Sequence, residues 1–191
     1  MSFTICYFRN DSGSFDMVKT LRSRTEPSPI EYSKNGHMLL VGEYFGVSAA
    51  TIFNSGWECT PEVLNGFCSS IYVVRFDQDG CCFATDTTGR ELLYYYHNEN
   101  KFIVSDNFWD IVKILDPSIE DIDGDVLREM IATGCGVPCD FVTPIKGLHW
   151  AYPNMHGKFN AISGRFDAIK FSEVRRTAQV TDIDEAVEAM D

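Results

Sequence analysis

The stretch from residue 71 to residue 105 constrains the fold most. Residues 71–77 alternate, with Tyr72, Val74 and Phe76 on one side and Ile71, Val73 and Arg75 on the other. A period of two is the mark of a strand with two different faces. Gln78-Asp79-Gly80 supplies turn chemistry, because glycine adopts a positive φ that other residues resist. Residues 81–86 return as the hairpin partner, Thr87-Thr88-Gly89 turns again, 92–96 read as an aromatic third strand and 101–105 as a fourth. The period then changes to 3.6: Phe108, Ile111, Val112 and Leu115 share a helical face, with Asp106 or Asn107 placed to cap it.

The flanking segments are less regular. Residues 2–8 read as a buried strand, 10–14 as a turn cluster, and 15–22 as either a short helix or a strand. Two prolines and several serines make 22–35 a loop, followed by a strand at 37–43. Residues 51–60 read as irregular and 61–64 as one helical turn. A helix over 122–133 carries Val126, Leu127, Met130 and Ile131 on one face and stops at Gly134; a loop at 135–144 follows. Strands are expected at 147–152, 157–161 and 165–171, the last two joined through Ser163-Gly164. Residues 181–191 begin another helix, with Thr181 as cap and Ile183, Val187 and Met190 on one face.

Composition removes several function classes. With 191 residues, 45% hydrophobic and 13% aromatic, the chain is long enough for one well-packed domain. No apolar run reaches the roughly 18 residues of a membrane helix, and 3–8 lacks the basic lead and cleavage site of a signal peptide, so a cytoplasmic location is expected. Seven cysteines in such a compartment read as reduced thiols. A net charge of −12 disfavours nucleic acid and anionic membranes as partners.

The ordered motifs resemble the asparagine-synthetase family, in the second half of its N-terminal glutamine-amidotransferase domain. The family pattern R-D-x-x-G-x-x-P-L-Y-Y is similar to Thr85-Asp86-Thr87-Thr88-Gly89-Arg90-Glu91-Leu92-Leu93-Tyr94-Tyr95, which keeps the Asp, the Gly and Leu-Tyr-Tyr but not the Arg or the Pro. Downstream, Val137-Pro138 and Thr143-Pro144-Ile145-Lys146-Gly147-Leu148 resemble the family's G-x-V-P and T-x-F-x-G-I run. The resemblance spans roughly residues 36–160. It implies an α+β fold of two packed, mostly antiparallel sheets flanked by helices, of the N-terminal-nucleophile hydrolase or class II amidotransferase type, here in trimmed form. It also implies an amidotransferase-like domain over residues 1–175, with 176–191 a linker and the start of a helix leading to a synthetase domain, absent or on a partner chain.

Family members attack glutamine with an N-terminal cysteine whose own α-amine is the base. Here Ser2 stands at that position, a weaker nucleophile than a thiolate and usable only if Met1 is removed. Cys6, inside the first strand, reads as a small core residue. The family's oxyanion run N-G-E is matched by Val41-Gly42-Glu43: Gly42 and Glu43 are candidate substrate-binding residues, but Val41 replaces the Asn. Losing one such donor costs on the order of a hundredfold in rate. The carboxylate-clamping Arg has no counterpart near His37-Met38, and the S-D-x-E segment is missing.

The other candidates have plainer readings. Cys135 and Cys139 have C-x-x-x-C spacing and could join His149 or His156 around zinc, but no second pair exists, so loop thiols and no metal are expected. Cys81 and Cys82 point to opposite faces of a strand. Tyr94–Tyr96 could be a ligand platform but reads better as packing. Glu120, Asp121, Asp123 and Asp125 lack the calcium-loop pattern and suit a helix start. Gly134 and Gly136 make no phosphate loop, since no G-K-(S/T) follows.

The leading expectation is therefore a non-catalytic, vestigial amidotransferase-like domain of an ATP-dependent amide-forming ligase, with a structural and partner-binding role. It carries no cofactor itself: ATP and Mg belong to a synthetase-type domain or subunit, and a homo-oligomer is compatible. Two alternatives stand beside it: an active glutamine amidotransferase or amidohydrolase using Ser2, and a free-standing module that holds a peptide or protein on an exposed strand.

Overall fold

The computed structural model describes residues 2–22, 30–32, 37–45, 48–55, 64, 68–133 and 142–170. The chain is α+β, built on two antiparallel sheets. Sheet I has the order β2-β1-β8-β7-β9, from β1 (Ser2–Arg9), β2 (Phe15–Arg22), β7 (Tyr94–His97), β8 (Lys101–Ser105) and β9 (Leu148–Trp150). Sheet II runs β11-β10-β6-β5-β4-β3, from β3 (Ile30–Tyr32), β4 (Met38–Phe45), β5 (Cys68–Asp77), β6 (Gly80–Thr85), β10 (Met155–Asn160) and β11 (Arg165–Lys170).

Alternation sorts each strand's side chains between two environments. Phe3, Ile5, Tyr7, Tyr95, Phe102 and Val104 of sheet I meet Leu39, Val41, Tyr72, Val74, Phe76, Phe83 and Phe159 of sheet II in one continuous core. Phe102 and Phe159 stack across the sheets with centroids 4.5 Å apart and planes 3° apart. The buried Tyr7 hydroxyl donates to the carbonyls of Asp77 and Gly80, at 2.8 and 2.5 Å, so a polar atom in this core is satisfied.

Each outer face carries its own smaller core. Beyond sheet II, Met38, Leu40, Ile71, Val73 and Ala84 pack with Ile52 of α1 (Ala49–Ser55) and with Leu64. Beyond sheet I, Cys6, Ile103, Ile145 and Leu148 pack with Ile111 of α2 (Phe108–Leu115). The layers run helix, sheet, sheet, helix. Asn107 caps α2 by accepting from Trp109 N at 3.0 Å, and Asp116, in the left-handed region, closes it through its N–H to Val112 O.

Several sequence expectations change. Residues 15–22, left open between helix and strand, are the edge strand β2, zipped along its length to β1. Three residues of the expected 22–35 loop form β3, held by pairing with β4 from Ile30↔Val41 to Tyr32↔Leu39. Part of the segment read as irregular is α1, which Ser48 starts: its hydroxyl accepts from Thr51 N at 3.2 Å. The 122–133 helix begins at Gly124 as α3 (Gly124–Thr133), after a 3-10 turn at Ile119–Asp121. Its expected apolar face is not buried: Leu127 is 39% and Ile131 74% exposed. All of the helical turn expected at 61–64 except the buried Leu64, the loop thiols Cys135 and Cys139, and everything from 171 onward, including the 181–191 helix, lie outside the described residues.

Candidate functional site

Ser2 lies at the start of β1, a strand whose odd residues enter the inter-sheet core. Its hydroxyl therefore faces outward, where α2 begins. There it donates to Asp106 Oδ1 at 2.7 Å, and Phe3 N donates to the same oxygen at 3.0 Å. A second hydroxyl pair continues the network: Thr4 Oγ1 and Ser105 Oγ are 3.0 Å apart, Ser105 Oγ donates to Phe3 O at 2.7 Å, and Asn107 N donates back to Ser105 Oγ at 3.0 Å. Ser2, Thr4, Ser105 and Asp106 are all buried. From the sequence alone Asp106 reads only as a helix cap. The capping position belongs to Asn107, and Asp106 instead ties the first strand to the β8–α2 junction, a contact across 104 residues that no local pattern signals.

Gly42 and Glu43 lie on the other sheet at the same end of the sandwich: Val41, beside them, pairs with Tyr72, whose ring is 6.3 Å from that of Phe3. Gly42 has φ +117°, and a Cβ there would stand 2.1 Å from Ser70 O, so glycine is required by the path of β4 against β5. Glu43 is exposed and pairs with Arg90 at 3.7 Å. Val41 is buried in the inter-sheet core. No hydrogen bond among the described residues joins Ser2 to Gly42 or Glu43.

The residues that carry the resemblance have structural duties. The buried Asp86 carboxylate accepts from Ile71 N at 2.8 Å, Thr88 N at 3.0 Å, Thr88 Oγ1 at 2.8 Å and Gly89 N at 3.1 Å, and so organises the turn between β6 and β7. Gly89 has φ +57°, with Pro153 where a Cβ would be, 2.4 Å away. Thr143 Oγ1 donates to Leu148 O at 2.7 Å and lies 3.2 Å from both Ile145 N and Ile145 O, which shapes the loop before β9.

Burial governs the titrating groups. It pushes the Cys6 thiol up to about 12, raises Cys81 well above its ordinary range, and lowers His149, which stacks on Tyr95 with centroids 5.3 Å apart. A raised thiol is an inert one. Cys81 and Cys82 face opposite sides of sheet II. No group of three His, Cys, Asp or Glu side chains among the described residues could hold a metal ion. Asp123 and Asp121 act as expected of residues at helix starts: Asp123 Oδ1 accepts from Asp125 N and Val126 N, and Asp121 pairs with Ser118. No helix among the described residues is long and apolar enough to cross a membrane.

The Tyr94–Tyr96 run packs on both faces of sheet I, with Tyr94 and Tyr96 half-buried against the outer core. Tyr95 packs in the core. Tyr94 turns outward into a pocket of about 370 Å³ walled by Phe108, Trp109, Met130, Pro144 and Trp150. Its ring is 5.7 Å from Phe108 and 5.9 Å from Trp150, and Phe108 is 5.2 Å from Trp109. Sequence reasoning missed this site. Its signal was the number of aromatic residues at outward positions of β7, α2 and β9.

No protein-family model matches the chain, and no curated protein matches it. Among solved structures it is similar to glutamine phosphoribosylpyrophosphate amidotransferase from B. subtilis, complexed with ADP and GMP, at 11% identity and a TM-score of 0.39. That similarity covers 90% of this chain, which spans 43% of the length of the enzyme.

Proposed function

We propose that this chain is a non-catalytic amidotransferase-like domain that serves, by packing, an ATP-dependent amide-forming enzyme of the asparagine-synthetase type. One observation carries the reading: the Ser2 hydroxyl is committed to Asp106 in a buried network on the outer face of sheet I. A nucleophile for glutamine needs an open approach and oxyanion donors within hydrogen-bond reach. Val41, at the resembled donor position, offers only a buried aliphatic side chain. Gly42, Asp86, Gly89 and Thr143, which carry the resemblance, all have backbone or turn-building duties. A domain that retains such residues and lacks the reactive ones keeps its architecture without the glutaminase step. ATP and Mg would then be held by the synthetase-type partner, in the cytoplasm.

The Ser2–Asp106 contact also supports a second reading. A serine that donates to a carboxylate at 2.7 Å has a proton acceptor in place. In a chain processed to begin at Ser2, this pair could serve hydrolysis of an amide. Intact mass of the protein from its native host, followed by an ammonia assay with glutamine, separates the two. The first reading expects no ammonia above background, with wild type and Ser2→Ala indistinguishable. A processed chain whose ammonia release disappears in both Ser2→Ala and Asp106→Asn would overturn it.

A further inference from the structure

The two sheets end in the edge strands β2, β9, β3 and β11, and three of these are blunted. β3 and β9 have only three residues each, and β11 carries the exposed ion pair Arg165–Asp167 at 2.9 Å. Short or charged edges discourage the addition of a further strand. β2 has neither device. It runs for eight residues in unbroken register with β1, from Phe15↔Arg9 to Arg22↔Ser2, without a proline or a bulge. Asp16 accepts from Asn10 Nδ2 at 3.2 Å, and the Lys19 ammonium lies 5.1 Å over the Phe76 ring, so both charges are engaged by the chain itself.

The ladder shows which backbone groups remain. In an antiparallel pair, only alternate opposed residues exchange hydrogen bonds. Asn10 N–H donates to Ser14 O, and the same phase makes Phe8–Asp16, Cys6–Val18 and Thr4–Thr20 the bonded pairs. The N–H and C=O groups of Phe15, Met17, Lys19 and Leu21 therefore point away from β1, where no strand follows among the described residues. Apolar side chains accompany them on both faces. Leu21, opposite Phe3 and so on the inter-sheet side, is 42% exposed; Val18, opposite Cys6 on the outer side, is 49% exposed.

These groups define the occupant. Donors and acceptors that repeat every second residue are matched by an extended backbone and not by a helix. A second copy joined at β2 is disfavoured by the other sheet. β2 lies over β5 through Lys19 and Phe76, and sheet II continues past β5 into β4 and β3, which would collide with their counterparts. A single strand brings no second layer.

We propose that β2 is a docking edge for an extended peptide segment of a partner protein, added antiparallel as a sixth strand of sheet I, with one apolar residue beside Leu21 and another beside Val18. The inference holds for either reading of Ser2, whose hydroxyl is tied to Asp106 and not to β2.

The test is amide hydrogen exchange, read by NMR on the full chain with and without a nine-residue peptide of alternating Val and Thr. Without peptide, the amides of Val18 and Thr20 should be protected and those of Met17, Lys19 and Leu21 should exchange freely. With peptide, these three should slow at least about tenfold, while the amides of α3 do not change. Lys19→Pro removes one outward N–H and leaves the β1 ladder intact, so it should weaken peptide binding at least about tenfold. Lys19→Ala keeps that N–H and should bind as wild type does. Slow exchange of Met17, Lys19 and Leu21 before peptide is added, no slowing with it, or equal binding by Lys19→Pro and Lys19→Ala would each overturn the proposal. Circular dichroism of Lys19→Pro shows that a loss of binding is not a loss of fold.

Discussion

The inter-sheet core and the outer face of sheet I draw on the same residue types and use them in opposite ways. Inside, rings pack on one another: Phe102 stacks on Phe159, and Tyr95 packs against both Phe83 and Phe166 with centroids 5.6 and 5.2 Å away. Outside, Tyr94 is the immediate neighbour of Tyr95, yet it shares a pocket with a largely exposed Trp109. One step along the strand moves a tyrosine from the closed inter-sheet core to a pocket on the outer face of sheet I. Aromatic content alone therefore does not measure a core; the covering layer decides what the rings do.

Four perturbations test this contrast. The largest effect belongs inside. Phe159→Ala removes the ring stacked on Phe102 and should destabilise by about 3–5 kcal/mol, read as a fall in the urea midpoint with unchanged slope. A loss below about 1 kcal/mol would mean that the interior is as loosely closed as the outer face. Asp86→Ala comes next. It strips a buried acceptor from the Ile71, Thr88 and Gly89 N–H groups and should cost about 2–3 kcal/mol by the same measurement.

The third is a pH effect of the buried groups. The folded chain holds the Cys6 thiol at about 12 against an ordinary 9.0, and Cys81 is raised as well. Between those values the unfolded chain has lost these protons and the folded chain has kept them, so the native state binds more protons and stability must fall as pH rises. Below about pH 9 this loss should be absent. Denaturation midpoints between pH 8 and 11 check the sign, and Cys6→Ala should flatten the slope. The smallest effect belongs outside: Trp109→Ala should shift stability by no more than about 0.5 kcal/mol, because the ring is mostly in water already. A larger cost would place Trp109 in the fold's own packing and undo the contrast.

Much of the scaffold was legible in the sequence, and the failures have physical causes. The alternation at 71–77 and the helix stripe of Phe108, Ile111, Val112 and Leu115 are local periodicities, each where it was expected; the return expected at 81–86 is β6, Gly80–Thr85, which leaves Asp86 to the turn. β3 was missed because three residues beside prolines and serines have no pattern of their own; β4 makes them a strand. α1 was missed although Ser48 marks its start, because Thr51 and Asn54 are weak helix formers. In α3 the helix is where a 3.6 period was expected, but Val126 and Met130 are half-buried while Leu127 and Ile131 are exposed, because periodicity does not say whether anything covers a face. The site was less legible still. The link from Ser2 to Asp106 and the convergence of Tyr94, Phe108 and Trp150 are long-range juxtapositions that only the closed fold produces.

The position of β1 has a consequence for the order of assembly. This first strand is interior to sheet I, between β2 and β8, with Thr4 opposite Ser105. During synthesis it leaves the ribosome before β8 and cannot complete its pairing until β8 has followed, about a hundred residues later. Its Phe3, Ile5 and Tyr7 must wait meanwhile, partnered at most by the β2 hairpin. Sheet II, whose β4, β5 and β6 are sequential neighbours, can form first and offer those side chains a surface. Such non-local pairing places folding towards the slow, millisecond-to-second end of the range. In a nascent chain, the hairpin of β1 and β2 is thus the element most in need of protection.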